Sequence, residues 1–183
     1  MPLLQTKADA SAWGYGFLGA TASIGNFYQI SQLSPSAVST VTFSSIPSTY
    51  KSLQVRFNLV ASAQYDNFGI YFNGDTTTNY ACHGLRGNGA SASATGTITQ
   101  NYILINSLGT YLTYPTVGIV DVIDYANTNK NKTIKALSGI NNNSAYGAVE
   151  VGSGLWLSTA AINSLTVAVG ATFTGTVTLY GAN

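Results

Sequence analysis

Charged side chains are scarce in this sequence. They make up 7% of its 183 residues, against roughly 25% in an average soluble protein. Seven basic and six acidic residues leave a net charge of +1. The surface must therefore consist largely of hydroxyl and amide groups or be covered by partners. The balance also argues against a nucleic-acid partner, because such an interface requires clustered Lys or Arg.

Basic residues cluster only at Lys130, Lys132 and Lys135. They alternate with polar and apolar residues, which is the pattern of a solvated strand edge. Lysines at such an edge discourage pairing with the edge of another sheet. A phosphate-binding patch is the alternative interpretation.

Cysteine and histidine occur once each, as Cys82 and His83. A single cysteine excludes an intramolecular disulfide and fits a reducing compartment or assembly without disulfides. Nucleophilic catalysis would need His83 as the base, with Cys82 as its nearest candidate nucleophile. Adjacent residues in a strand point to opposite faces, however, so Cys82 and His83 cannot form an ion pair. We therefore expect that the protein is not an enzyme, and we assign His83 a structural role at a strand end.

Metal and cofactor motifs are also lacking. Sites built from thiolate and imidazole groups need more Cys and His than this chain contains. Oxygen atoms of Asn73, Asp75 and Asn79 could ligate calcium, but the order Asn-Gly-Asp is also what a turn requires. Asp121 and Asp124 are three residues apart, so a regular strand would place them on opposite faces. We expect neither a metal nor a cofactor.

Long apolar runs are absent as well. No stretch of the sequence approaches the ~18 apolar residues of a membrane span. The first residues lack the basic and apolar regions of a signal peptide. We therefore expect no membrane partner.

The sequence is organised around residues 70–83, IYFNGDTTTNYACH. Asn73-Gly74 follows an apolar run and is a strong signal for a two-residue β-turn, because both residues tolerate positive φ. Aromatic character returns at Tyr80. We predict a hairpin here, with structural roles for Asn73, Gly74 and Asp75.

Alternating apolar residues predict strands through most of the chain. Residues 53–59, 68–72 and 162–169 are apolar at nearly every second position, as in half-buried strands. We count roughly nine or ten short strands with turn signals between them and no helix. The pattern predicts an all-β fold, an antiparallel β-sandwich of jelly-roll type, over residues 36–183.

Two stretches depart from this alternation. Residues 117–125 are almost continuously apolar and predict a central strand, whereas residues 86–96 are rich in Gly, Ser and Ala and predict a surface loop. Trp156 follows a glycine-rich segment, and we assign it a structural role.

Residues 1–35 differ from the rest and predict an extended N-terminal arm. Glycine is too frequent there for a helix. The expected contacts of the arm with a neighbouring subunit or another partner protein are Leu3, Leu4, Trp13, Tyr15, Phe17, Phe27 and Tyr28. An edge strand packed on the protein's own sheet is the alternative.

Four tyrosines fall in predicted loops. They are Tyr65, Tyr111, Tyr114 and Tyr146. Such residues stack on sugars, fill subunit interfaces or pack on their own fold, and the sequence leaves these three interpretations open.

Four blocks in this order resemble a domain of tailed-bacteriophage virion proteins, which include head-surface and fibre-like proteins. They are SSIPSTYKSLQVRF (44–57), FNGDTTTNYACHGL (72–85), DVIDYANTNKNKT (121–133) and GLWLSTAAINSLTV (154–167). The sequence departs from the usual pattern of that group at Ala81-Cys82, where a larger aromatic is common, and at Leu157, where a basic residue is common. The resemblance implies a virion structural protein without an active site.

Two functions fit this resemblance. One is a capsid decoration, or cement, protein on the head surface, assembled in the host cytoplasm. Its partners would be the major capsid protein or other virion proteins. The other is a fibre or receptor-binding module, for which a glycan ligand becomes an option. The chain has no extended shaft, which favours decoration. Sparse charge and abundant tyrosine favour an oligomer, and a homotrimer would match the three-fold positions of an icosahedral head.

Overall fold

The computed structural model describes residues 27–63, 67–106, 113–141 and 147–183, which form eleven β-strands. These are β1 (Phe27–Leu33), β2 (Val38–Phe43), β3 (Ser52–Ala61), β4 (Phe68–Phe72), β5 (Tyr80–Gly87), β6 (Ala92–Gln100), β7 (Ile103–Asn106), β8 (Thr116–Ile123), β9 (Lys132–Asn141), β10 (Gly147–Trp156) and β11 (Leu165–Ala182). No described residue is helical, so the all-β prediction is confirmed. The described ranges accordingly hold no helix with the length and hydrophobicity of a membrane span.

Strand β11 organises the sheet because its two halves have different neighbours. Residues 165–169 lie between β2 and β4. Residues 173–182 pair with β3, and β1 pairs with the end of the same half. One portion of the sheet thus contains β2, β11, β4 and β7. The other runs in the order β1, β11, β3, β8, β9, β10, β5, β6, and every pair is antiparallel.

The two portions of the sheet enclose one hydrophobic core. Strand β7 lies against β9, β10 and β5, which nearly closes the sheet into a barrel. Phe57 of β3 and Phe68 of β4 meet across the core with ring centroids 4.4 Å apart. Burying each such side chain contributes about 1.5 to 3 kcal/mol. The predicted antiparallel β-sandwich is therefore confirmed.

The first strand lies within the segment that the sequence assigns to an arm. Strand β1 pairs with residues 177–182 of β11, and Tyr28 stacks on Tyr50 with centroids 6.2 Å apart. Because β11 would otherwise present an unpaired edge, we place the start of the β domain at or before Phe27 rather than after residue 35. The remaining arm residues named above, Leu3, Leu4, Trp13, Tyr15 and Phe17, lie outside the described residues.

The turn predicted at Asn73-Gly74 is present. Both residues have positive φ, 52° and 69°, and the Asp75 N–H donates to the Phe72 carbonyl oxygen at 2.9 Å. The predicted hairpin, however, is wrong, because β4 pairs with β11 and β7 whereas β5 pairs with β10 and β6. The chain crosses after the turn from one portion of the sheet to the other.

The loop predicted at residues 86–96 is also wrong. Strand β5 extends to Gly87 and β6 begins at Ala92, so residues 88–91 alone form the connection. Asn88 holds this turn, since its side-chain oxygen accepts hydrogen bonds from two backbone N–H groups that follow it. Every residue of β6 except the last is exposed, and a strand exposed on both faces needs no apolar alternation.

Replacing Gly74 with valine is expected to lower the free energy of unfolding by roughly 1 to 3 kcal/mol. No atom lies within 4 Å of the position that a Cβ would take, so the cost arises from positive φ alone. Urea denaturation measures it. Gly74→Asn is the matched control, because asparagine tolerates this conformation and should retain most of the stability. A valine variant as stable as the wild type would contradict the assignment of the turn.

Candidate docking surface

The residues around the Asn73-Gly74 turn form a hydrogen-bonded cluster. The Asp75 carboxylate accepts hydrogen bonds from the backbone N–H of Thr77 at 3.0 Å and from the amide of Asn79 at 3.1 Å. The indole N–H of buried Trp156 donates to the same carboxylate at 2.8 Å. Asp75 thereby ties the turn after β4 to β10, in the other portion of the sheet.

Tyr80 completes this cluster on its buried side. Its O–H donates to the Asp75 carbonyl oxygen at 2.9 Å, and its oxygen accepts the Phe72 N–H at 3.0 Å. The Tyr80 ring stacks on Trp156 with centroids 6.3 Å apart. Burial raises the pKa of the Tyr80 hydroxyl, which therefore stays neutral and keeps its proton. These contacts assign the cluster to the fold rather than to chemistry.

Asn73 fastens the same turn to the segment before β11. Its side-chain amide donates to the Ala161 carbonyl oxygen at 2.8 Å, and its oxygen accepts the N–H groups of Asn163 and Ser164 at 2.9 and 3.1 Å. The side-chain oxygens of Asn73 and Asp75, considered above as calcium ligands, thus already accept hydrogen bonds. Among the described residues, no group of three or more His, Cys, Asp or Glu is placed to hold a metal.

The four blocks that carry the phage resemblance meet at this end of the sandwich. The turn cluster joins the second block to the fourth. The Ile46 N–H of the first block donates to the Asn163 carbonyl oxygen at 2.9 Å, and the Ile162 N–H donates to the Tyr125 carbonyl oxygen of the third at 2.9 Å. The four blocks therefore contact one another and together close one end of the sandwich.

The lysine cluster is not the solvated edge that the sequence predicts. Strand β9, which carries Lys132 and Lys135, lies inside the sheet between β8 and β10. Lys132 is buried, and its ammonium donates to the carbonyl oxygens of Lys130 and Thr159 at 2.9 and 3.2 Å. Burial lowers the pKa of Lys132. The two exposed lysines pair with Asp124 and Asp121, so the three cations do not form one patch.

His83 lies within β5 rather than at a strand end. It is exposed, and its ring covers Gly96 of β6, where a Cβ would lie 2.7 Å from the imidazole. Cys82 is buried, and its sulfur lies 2.8 Å from the Thr97 hydroxyl. The two neighbours point to opposite faces, as the strand pattern requires.

Asp75 should dominate the acid sensitivity of the protein. Partial burial raises the pKa of its carboxyl, but the hydrogen bonds from Thr77, Trp156 and Asn79 together lower it well below its ordinary value of 3.8. As the pH falls, the unfolded chain therefore binds a proton at the Asp75 carboxyl before the folded protein does. The resulting stability is present above about pH 4 and is lost as the pH falls toward the folded pKa.

Asp75→Asn is accordingly expected to cost roughly 1 to 3 kcal/mol at neutral pH and to flatten the stability profile between about pH 5 and pH 2. Urea denaturation at several pH values measures both effects. Asp124→Asn removes an exposed carboxylate that pairs with Lys130 and serves as the control, with a profile close to the wild type. An acid slope of Asp75→Asn equal to that of the wild type would contradict the assignment.

An apolar surface lies on part of the outer face of the larger sheet portion, on the side away from the core. We call it the apolar belt. Its members project outward from four adjacent strands and are Leu85, Val117, Ile119, Leu137, Val149 and Val151. Apart from half-buried Ile119, each is between 43% and 57% exposed. Contiguous exposed apolar residues of this kind mark interaction sites.

The register of the strands makes the belt continuous. Leu85, Val151, Leu137 and Ile119 form one row, because each is the register partner of the next. In the adjacent row, Gly139 lies between two valines, Val149 and Val117. The missing side chain leaves a shallow apolar depression of about 430 Å³. The belt is thus an exposed apolar surface with a notch at Gly139 that could receive a partner's side chain.

Polar residues border the belt on one side. Lys135 lies 3.5 Å from the Asp121 carboxylate. The Gln54 amide donates to Asp121 at 2.7 Å, and the Arg56 side chain donates to the Gln54 oxygen at 2.7 Å. An apolar centre with a hydrogen-bonded polar rim is the usual anatomy of a protein–protein interface.

Sequence reasoning missed the belt, although the sequence contains a signal for it. Residues 117–123 are apolar or glycine at every position except Asp121, which implies two apolar faces. Of the four loop tyrosines, Tyr114 is exposed just before β8, and Tyr65, Tyr111 and Tyr146 lie outside the described residues.

Comparisons with known proteins return no match for this chain. No protein-family model, no curated protein and no solved structure is significantly similar to it. The geometry of its own surfaces therefore carries the functional argument.

Proposed function

We propose that the protein is a structural component of a tailed-phage virion that decorates the head surface. The observation that carries the proposal is the apolar belt, an exposed apolar surface with a polar rim. The proposed partner is the major capsid protein or another virion protein, and the proposed location is the outside of the head. Binding there would stabilise neighbouring capsomers as a cement protein does.

Two further features support this proposal. The chain carries little charge, so a large part of its surface is suited to coverage by protein. The four blocks that resemble virion proteins all lie in the contacts that close one end of the sandwich. The residues that carry the resemblance thus hold the fold together, which fits a structural role better than an enzymatic one.

The proposed assembly on the head is a homotrimer. Three-fold positions occur throughout an icosahedral lattice, and a trimer would present three belts to the capsomers around each position. Closed rings with few subunits are common among homo-oligomers.

Counting copies per virion tests the proposed location. Quantitative mass spectrometry against the major capsid protein should give hundreds of copies for a decoration protein. Purified protein should also bind heads that lack it and raise the temperature at which they release DNA. A handful of copies would assign the protein to a tail fibre or receptor-binding module instead. Absence from purified virions would overturn the virion proposal altogether.

A further inference from the structure

Strand β6 forms a long edge of the sheet in the described structure. Among the described residues it pairs with β5 alone, so the backbone groups along its other side have no strand beside them. Residues 92–99 are all exposed, and Ile98 is 69% exposed. An edge of this kind is a template for pairing with another strand.

The composition of β6 does nothing to prevent such pairing. Its sequence, ASATGTITQ, contains no charge and no proline, which are two of the devices by which natural sheets blunt an edge. The other edge strands are less suitable. Strand β7 has four residues, and the ladders that join β1 and β2 to β11 are interrupted by register shifts. β6 also has a register shift, which lies between Thr97 and Gln100, where Thr99 has a φ of +58°; residues 92–97 form its regular part, and Ile98 directly follows it.

We propose that β6 pairs antiparallel with β6 of a second copy of this protein, around a two-fold axis at Gly96. The two larger sheet portions would then form one continuous sheet across the dimer. This inference does not depend on the proposed attachment to the head. The two-fold contact is distinct from the three-fold contact of the proposed trimer and would join two such trimers.

The self-complementarity of β6 argues for a second copy as the partner. Centring the pair on Gly96 places Thr95 opposite Thr97 of the second copy, and Thr–Thr pairs are favourable across strands. It also places Ala94 opposite Ile98 of the second copy. Without charges, two identical strands do not repel each other.

The apolar belt supplies a second argument. Ala94 is the register partner of Leu85, so it lies on the outer face at the end of the belt. In the proposed dimer, Ile98 of the second copy follows Ala94 on that face. The belt of one copy therefore continues across the axis, which joins two docking surfaces into one.

A charge-swap experiment on the full chain tests both the partner and the register. Ala94→Lys with Ile98→Lys places two like-charged pairs across the axis. This double variant should weaken association by on the order of tenfold or more and halve the mass measured by light scattering, whatever the size of the starting unit. Ala94→Glu with Ile98→Lys places opposite charges in the same positions and should retain the wild-type mass.

Ile123→Lys with Leu157→Lys is the matched control. Both residues are exposed and apolar and lie outside β6, so this variant should associate like the wild type. A mass unaffected by like charges at positions 94 and 98 would overturn the proposal. Loss of association in the charge-swap variant as well would overturn the register centred on Gly96.

Hydrogen exchange of the wild-type protein provides an independent measurement if a variant fails to fold. The amides of residues 92–99 should be protected at high protein concentration and should exchange faster on dilution, as the second copy leaves. Protection that does not change with concentration would mean that the edge is covered within one chain, for example by residues 1–26. That result, or exchange that is fast at every concentration, would overturn the proposal.

Discussion

Replacing Gly175 with alanine is expected to lower the free energy of unfolding by about 2 to 6 kcal/mol, a large fraction of the stability of a typical domain. Gly175 has a φ of +146°, and a Cβ built there would lie 2.1 Å from the Asn58 carbonyl oxygen. Backbone strain and the steric clash each cost about 1 to 3 kcal/mol. The clash cannot relax easily, because the atom concerned belongs to the backbone of β3.

The surroundings of Gly175 restrict its movement further. Its N–H donates to the Pro35 carbonyl oxygen at 3.1 Å, and the Thr174 hydroxyl accepts the Ala37 N–H at 3.1 Å. The residue is thus held between β3 on one side and the link from β1 to β2 on the other. Moving it to accommodate a methyl group would break one of these contacts.

Thermal denaturation of Gly175→Ala measures this effect. Gly152→Ala is the matched control, because a Cβ there would make only an ordinary contact, 3.5 Å from the His83 carbonyl oxygen. The control should change stability by less than about 1 kcal/mol. A melting temperature for Gly175→Ala equal to that of the control would show that β3 and β11 separate more readily than the structure implies.

Substituting Leu137 and Val149 together with glutamate is expected to abolish docking on phage heads, with a loss of affinity of at least about 100-fold. Central interface residues often contribute 2 kcal/mol or more each, and each substitution also places an uncompensated charge in the contact. Leu137 and Val149 are 43% and 53% exposed. The variant should therefore fold normally, which circular dichroism can verify.

Co-sedimentation with heads that lack the protein measures this loss. The control is Ile123→Glu with Leu157→Glu, which adds the same charge at exposed apolar positions outside the belt and should bind like the wild type. Equal binding by the belt variant and this control would contradict a docking role for the belt. That result would mean that the protein attaches through another part of the chain, for example residues 1–26.

Side-chain alternation was sufficient to predict the fold class. In β3, the apolar residues of the 53–59 run are buried, and Arg56 and Asn58 between them are exposed. The Asn73-Gly74 turn was predictable for a similar reason, because positive φ is a local property of the two residues. Both predictions depend on interactions within a few residues of the chain.

Strand partners were not predictable by the same reasoning. The turn at Asn73-Gly74 reverses the local chain, but Asp75 binds Trp156, 81 residues later, and the following strand joins another part of the sheet. The edge strand β6 was mistaken for a loop because neither of its faces is buried. Pairing between two distant segments leaves no periodic pattern in either segment, so the partner of a strand cannot be predicted from such a pattern.

The apolar belt was overlooked for a related reason. In the run 117–123, alternate residues of β8 face the core and the outside. A continuous apolar run is also what a strand buried on both faces requires. The sequence shows that β8 has two apolar faces. Only the three-dimensional structure shows which of the two faces packs against the core and which is exposed.

The shared position of β11 has a consequence for how the protein folds as it is made. In the described structure, β1, β2, β3 and β4 form no ladder with one another, and each of them pairs with β11. Strands β1 and β2 must therefore wait for residues 165–182 to be synthesised, and β3 and β4, which also pair with β8 and β7, keep one edge unpaired until then. Contacts so distant in sequence make folding slow, and the waiting strands expose unpaired edges while the ribosome works at about 5 to 20 residues per second. We expect the nascent chain to depend on chaperones until its last strand emerges and to become protease-resistant in a single late step.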